Sequence, residues 1–368
     1  MPASQKRSSA PQPRPRRPAG RRHVYAALDL GTNNCRLLIA RPEGRGFKVL
    51  DAFSRVVRLG EGVEEAGALS QKAMDRAVAA LRICAEKMSR RRVTRARAIA
   101  TEACRRAING AEFVERVNRE AGIQLDVIDA GEEARLAVAG CAPLFDSRRD
   151  CLLVFDIGGG STEIVWIDLA ATPRGRRRDL LLGVAPKLAD PAAEEAEIRA
   201  LAEGARWVSM PVGVVTLAER FNGLRDEKAR FAAMKGHTEA LLAPFAARGA
   251  AATNDRLRRM QLLGTSGTVT TLAGVHLELP RYNRAKVDGL WIGRDEIMAV
   301  IERLLSVGRD ERAAIPCVGD DRSELVIAGA AILSAILDQW PAERLRVADR
   351  GLREGLLYGL MNRDGTGP

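Results

Sequence analysis

Apolar positions along this chain switch between two periods, and the switches mark out its elements. Residues 24–30, 36–40, 46–52 and 55–59 are short runs rich in Val, Leu, Ile and Phe, predicting consecutive strands. From residue 70 to 90 the spacing changes. Ala73, Ala77, Leu81, Cys84 and Met88 recur at a period near 3.6, predicting a helix with Ser70 as its N-cap. Residues 96–100 and 125–128 are the next strands, and 112–121 and 132–142 are helical. This order describes an α/β layer domain.

The opening pattern then returns. Residues 151–155 form an apolar run that ends in Asp156 and a glycine turn, and 162–167 is the next strand. Asp156 lies 127 residues after Asp29. Superposing them aligns Leu28-Asp29-Leu30-Gly31 with Phe155-Asp156-Ile157-Gly158, and Leu37-Leu38-Ile39 with Ile164-Val165-Trp166. Arg36 then falls opposite Glu163. An internal duplication of this kind predicts two similar domains facing each other, at 23–130 and 131–350. Residues 171–206, with Arg174, Arg176, Arg177 and Arg178, read as a surface loop and helix inserted into the second half. Helices are expected near 214–221, 228–247, 294–307 and 323–337, strands at 260–263 and 345–347, and a final helix at 351–361 that returns to the first domain.

Composition narrows the class. At 368 residues, 46% hydrophobic and 29% charged, the chain has the makeup of a soluble protein of two domains. No apolar run approaches the ~18 residues of a membrane span, so a cytoplasmic protein is expected. The six cysteines make no CxxC pair, and the three histidines lie at no metal-ligand spacing. Of the net charge of +11, seven positive residues lie in 1–22, which hold five prolines and no acid. That segment is expected to be a disordered basic tail, either solubilising or an arm for polyanions.

Chemistry concentrates in three glycine turns. The first runs Asp29-Leu30-Gly31-Thr32-Asn33-Asn34-Cys35-Arg36, and the second Asp156-Ile157-Gly158-Gly159-Gly160-Ser161-Thr162-Glu163. Each sets a carboxylate at a strand end, then small residues whose backbone N–H groups can face a phosphate. Asp29 and Asp156, at the strand ends, are candidate ligands for Mg²⁺, which prefers hard oxygen. The third turn, Gly264-Thr265-Ser266-Gly267, opens a helix and supplies another phosphate-binding N-terminus. No GxxxxGK[ST] or GxGxxG loop is present. Glu132 and Glu133 begin a helix between the halves, a placement that fits either the helix dipole or a general base.

Ala100-Thr101-Glu102-Ala103-Cys104-Arg105, Gly131-Glu132-Glu133-Ala134-Arg135 and Arg353-Glu354-Gly355-Leu356-Leu357, together with the first two turns, resemble the exopolyphosphatase/guanosine pentaphosphate phosphatase (Ppx/GppA) family, in the family's order over residues 24–361. The resemblance implies two actin/hexokinase/Hsp70-like (ribonuclease H-like) α/β domains around a cleft. It implies Glu133 as catalytic base, Asp156 and Glu163 as metal-associated acids, and the first two turns as phosphate loops. It also implies that Arg105 faces the phosphate chain, and it suggests a homodimer. Thr32 and Asn34 stand where Ser is usual, and the scarcity of histidine points to a short, two-domain member. The expected activity is Mg²⁺-dependent release of orthophosphate from the end of inorganic polyphosphate, with guanosine pentaphosphate as the alternative substrate. No membrane or specific nucleic-acid partner is expected. An ATP-dependent kinase of the same superfamily or a non-catalytic phosphate-chain sensor remain the readings from other classes.

Overall fold

The computed structural model describes residues 23–44, 46–183, 205–247 and 258–367. The tail at 1–22 and most of the segment read as an insertion lie outside them. Two mixed sheets form the frame. In the first, β1 (Tyr25–Leu30), β2 (Asn34–Glu43), β3 (Gly46–Val56), β4 (Arg95–Ala100) and β5 (Leu125–Val127) stand in the order β3-β2-β1-β4-β5. In the second, β6 (Cys151–Ile157), β7 (Thr162–Asp168), β8 (Ala205–Met210), β9 (Met260–Thr265), β10 (Trp291–Gly293) and β11 (Arg344–Ala348) stand in the order β10-β11-β9-β6-β7-β8.

The duplication is therefore topological. In each sheet the leading strand pairs antiparallel with the next and parallel with the strand after the first crossover. β3 and β8 close the antiparallel side alike. The expected fold class, two actin-like α/β halves, is what the chain adopts. Two expectations need correction. Residues 46–52 and 55–59 are not two strands, because β3 runs unbroken to Val56 as an edge strand whose residues are mostly part-exposed. The segment 171–206 is not merely an inserted loop and helix. Its end begins β8, the counterpart of β3, and Arg177 in the helix Arg174–Gly183 is buried, donating to the carbonyls of Thr172, Ser147 and Arg149.

The strands read as continuous apolar runs because both sheet faces are covered. Along β6, Cys151, Leu153, Phe155 and Ile157 enter one core and Leu152 and Val154 another. The helix Ala130–Cys141 lies between the sheets. Its Ala134 and Val138 pack on the second, and its Leu136 and Ala137 on the first, so it is buried nearly all round. The last helix, Leu352–Arg363, joins it against β1, β2 and β4 through Leu356, Leu357 and Met361. These two helices cross at glycines. A Cβ on Gly355 would sit 2.2 Å from the Leu136 carbonyl oxygen, and one on Gly140 1.9 Å from that of Gly351.

Candidate active site

The first two glycine turns meet across a cleft between the sheets. Asp29, Gly31, Thr32, Asn33, Asn34 and Arg36 line it from the first half, and Asp156, Gly158, Gly159, Gly160 and Ser161 from the second. Ser266 and Gly267 of the third turn close one side, and Glu133 faces in from its helix. The halves touch here, for a Cβ on Gly159 would lie 2.9 Å from Thr32 Cβ.

Hydrogen bonds behind each turn aim its amides. Val214 and Val215, opening the helix Val214–Arg220, donate to the carbonyls of Gly158 and Gly159 at 3.0 and 2.8 Å. A trans peptide sets its N–H opposite its C=O, so the N–H groups of Gly159 and Gly160 point away from that helix, and among the described residues neither donates to another backbone group. In the first turn Gly60 N donates to Thr32 O at 2.9 Å, and Val57 and Arg58 N to Asn33 O at 2.8 and 3.0 Å. The Asn33 side-chain oxygen is buried without a hydrogen-bond partner among the described residues. At the third turn Ser266 has φ of 143°, a region a serine adopts only under strain, and its Oγ accepts from Val269 N at 3.2 Å.

Not every expected residue reaches the cleft. Cys35 packs into the core with its Sγ 3.9 Å from that of Cys84. Thr162 gives its hydroxyl to Val212 O, and Gly264 lies against the Phe155 ring. Thr265 borders an adjoining lobe and donates to Arg350 O at 2.7 Å. Arg105 does not line the cleft. Its guanidinium donates to Glu102 Oε2 at 2.6 Å, to Ile128 O at 2.7 Å and to Glu133 Oε2 at 3.2 Å. Glu132 turns outward to Arg97 at 2.6 Å. Two charged cleft residues carried no expectation, Glu102 and Arg322, the latter donating to Thr271 Oγ1 at 2.9 Å. Glu102 had a signal, since it sits within the quoted Thr-Glu-Ala-Cys-Arg stretch. Arg322 had none, as it reaches the cleft only through the third dimension.

Acidity is unbalanced between the halves. Asp29 is paired across β1 and β2 with Arg36, while Asp156 is paired across β6 and β7 with Glu163. Burial raises Asp29, and Arg36 and Arg353 oppose the rise. Burial, then the Asp29 charge, raises Asp156 to about 6. Burial and Asp156 raise Glu163, against hydrogen bonds from Ser161 and Ser209. Glu133 stands well above the ordinary carboxylate range through burial and the Glu163 charge, with Arg105 pulling it back.

Facing like charges destabilise each other, and a divalent cation between them relieves that, so the donor set fits Mg²⁺. Among the described residues no three acidic, His or Cys side chains converge as a metal cage.

Fold and cleft define a protein of two actin-like halves whose glycine turns face each other across the cleft. The chain belongs to the Ppx/GppA phosphatase family, whose model matches residues 38–364. A Ppx/GppA family member from Aquifex aeolicus is similar in structure, with 26% identity, 91% of this chain and 96% of that one covered, and a TM-score of 0.68. An exopolyphosphatase-like protein matches at 26% identity over 91% and 97% with a TM-score of 0.74. An exopolyphosphatase from Cytophaga hutchinsonii shares the fold at 23% identity over 94% and 100%, TM-score 0.75. Among the described residues no helix is long and apolar enough to cross a membrane.

Proposed function

We propose that this phosphatase hydrolyses the terminal phosphoanhydride of inorganic polyphosphate and releases orthophosphate. The observation that carries it is Glu133. Its Oε2 is held by Arg105 while the side chain faces the cleft between two turns that present free N–H groups. A raised carboxylate pKa is what a base near neutrality needs.

In this reading the terminal phosphoryl group lies between the Asp29 and Asp156 turns, where backbone N–H groups meet its oxygens. Glu133 takes a proton from water as the water oxygen bonds to phosphorus. The bridging P–O bond breaks, and its electrons leave on the shortened chain. Mg²⁺ would be held by Asp156 and Asp29, which line the cleft, and by Glu163 through water, supplying charge neutralisation at the phosphate oxygens. Arg36 and Arg353, which line the adjoining lobe beside Arg284 and Arg322, meet the phosphates behind the reacting one.

Guanosine pentaphosphate is the second reading. One observation favours it: Tyr282 also lines that lobe, its hydroxyl fixed to Asp349 at 2.6 Å, and such a ring can stack on a base. Orthophosphate release from polyphosphate, guanosine pentaphosphate and ATP with Mg²⁺ separates these substrates. Polyphosphate is expected to give the highest kcat/KM. Glu133→Gln should bind substrate and lose about 10²–10⁴ in turnover. Phosphate release by that variant at the wild-type rate removes the base assigned here, and release from none of the three removes the activity.

A further inference from the structure

The second sheet carries a basic groove at the end away from the cleft. The cleft sits where β6 and β9 finish, at Asp156 and Thr265. Where the same strands begin, Arg149 lies just before β6, Arg258 just before β9, and Arg344 opens β11. These three arginines line one groove with Trp291 and Glu343, and the same three continue into a second lobe with Arg148 and Arg259.

The charges there are unevenly matched. Arg148 is held by Asp146 at 2.8 Å and Arg259 by Asp150 at 3.4 Å. Arg149 donates to the Arg258 carbonyl at 2.6 Å, and Arg344 lies over the Trp291 ring at 4.4 Å. Among the described residues none of Arg149, Arg258 and Arg344 forms an ion pair with a carboxylate. Parallel strand starts therefore bring to one concavity three guanidiniums that pair with no described carboxylate, which builds a positive potential for an anion bearing several charges.

We infer that this groove is a second binding site for a phosphate chain. It would grip polyphosphate roughly one strand length, about 20 Å, from the cleft where the end is cut. The linkage to cutting rests on the proposed function; the binding does not. A phosphate chain fits better than single-stranded nucleic acid. Binding of the latter uses open aromatic faces for its bases, and the Trp291 indole is already engaged by Arg344 and by Arg346, at 5.0 Å. A grip outside the cleft would keep a long chain near the enzyme between successive cuts.

The test is the double variant Arg258→Glu/Arg344→Glu. With long-chain polyphosphate at low salt its KM should rise about tenfold, the scale of a few exposed ion pairs, with kcat unchanged and the difference fading at high salt. Tripolyphosphate, too short to span both places, should show wild-type KM, and Arg258→Lys/Arg344→Lys should restore long-chain KM. An unchanged long-chain KM overturns the inference, as does an equal loss with tripolyphosphate. Should the wild-type protein cut no polyphosphate, the activity fails and the groove is still decided by binding. Fluorescently end-labelled long-chain polyphosphate should then bind the Glu133→Gln protein about tenfold tighter than the same protein carrying the two charge reversals. Equal affinity, or tighter groove-dependent binding of single-stranded DNA, sinks the assignment.

Discussion

Arg105 lies 3.2 Å from Glu133 and 2.6 Å from Glu102, with its remaining contact on the Ile128 carbonyl. One guanidinium thus fixes two carboxylates that both line the cleft. A bidentate arginine is a geometric clamp that lysine cannot copy. The family resemblance assigned Arg105 to the phosphate chain, whereas its guanidinium donates here to Glu102, Glu133 and the Ile128 carbonyl. The two roles differ in kinetics. A clamp acts through Glu133, so Arg105→Lys should lower kcat about tenfold or more and leave KM near its wild-type value. A phosphate contact would instead raise KM. Steady-state kinetics on polyphosphate decides between them.

Much of this arrangement was legible in the sequence. The strand–Asp–glycine turn occurs twice because each half needs a buried strand running into a backbone-lined turn, and that demand leaves a pattern in residue order. The same holds for Ser70 as N-cap, whose Oγ accepts from Ala73 N at 3.3 Å. Other features left no such trace. β8 begins at the edge of the second sheet, where Arg206 and Trp207 are exposed and the apolar alternation is weak. Arg322 and Glu102 join the cleft from separate elements. The fate of Arg105 was hidden too, since position in a motif does not say which way a long side chain turns.

The close approach of the two halves across the cleft depends on Gly159. A methyl group there would lie 2.9 Å from Thr32 Cβ and 3.2 Å from Asn33 N, on the other half of the molecule. Gly159→Ala should therefore reduce kcat/KM at least tenfold while shifting Tm only slightly, because the clash lies between halves and outside either core. Adding Thr32→Gly removes both the Thr32 Cβ met at 2.9 Å and the Cγ2 met at 3.3 Å and should restore part of the activity. Activity assays beside thermal melts check both statements.

The facing acids make stability depend on pH. The folded-state pKa of Asp156, about 6, stands above the ordinary aspartate value near 3.9. Folding thus favours its protonated form. That contribution is fully present below about pH 4 and is lost as pH rises through about 6. In metal-free buffer Asp156→Asn should exceed the wild-type protein by about 3 kcal/mol at pH 8, with the gap closing toward pH 4. Denaturant melts in EDTA at the two pH values measure it. Mg²⁺ should narrow the gap at pH 8 by stabilising the wild-type protein alone; a gap independent of both pH and Mg²⁺ would count against the electrostatic cause.

Ser266 offers a test of stored strain. With φ of 143° it holds a conformation costing about 1–3 kcal/mol. Glycine relieves that cost and loses only a few tenths as an N-cap. Ser266→Gly should raise stability by about 1 kcal/mol, and Ser266→Ala, which keeps the strain and drops the Oγ bond to Val269 N, should lower it. Calorimetry on the two variants gives the signs.

The return of the last helix to the first sheet sets a timetable for synthesis. Tyr25, Ala27, Leu38 and Ala40 rest against Leu352, Leu356, Leu357 and Met361. That face of the opening half stays without its final cover until the ribosome has added some two hundred further residues, roughly 10–40 s at common elongation rates. Through that interval a greasy sheet is open to wrong partners, so chaperone demand should fall on the emerging first half, and truncation before residue 352 should yield aggregates in place of a smaller folded protein.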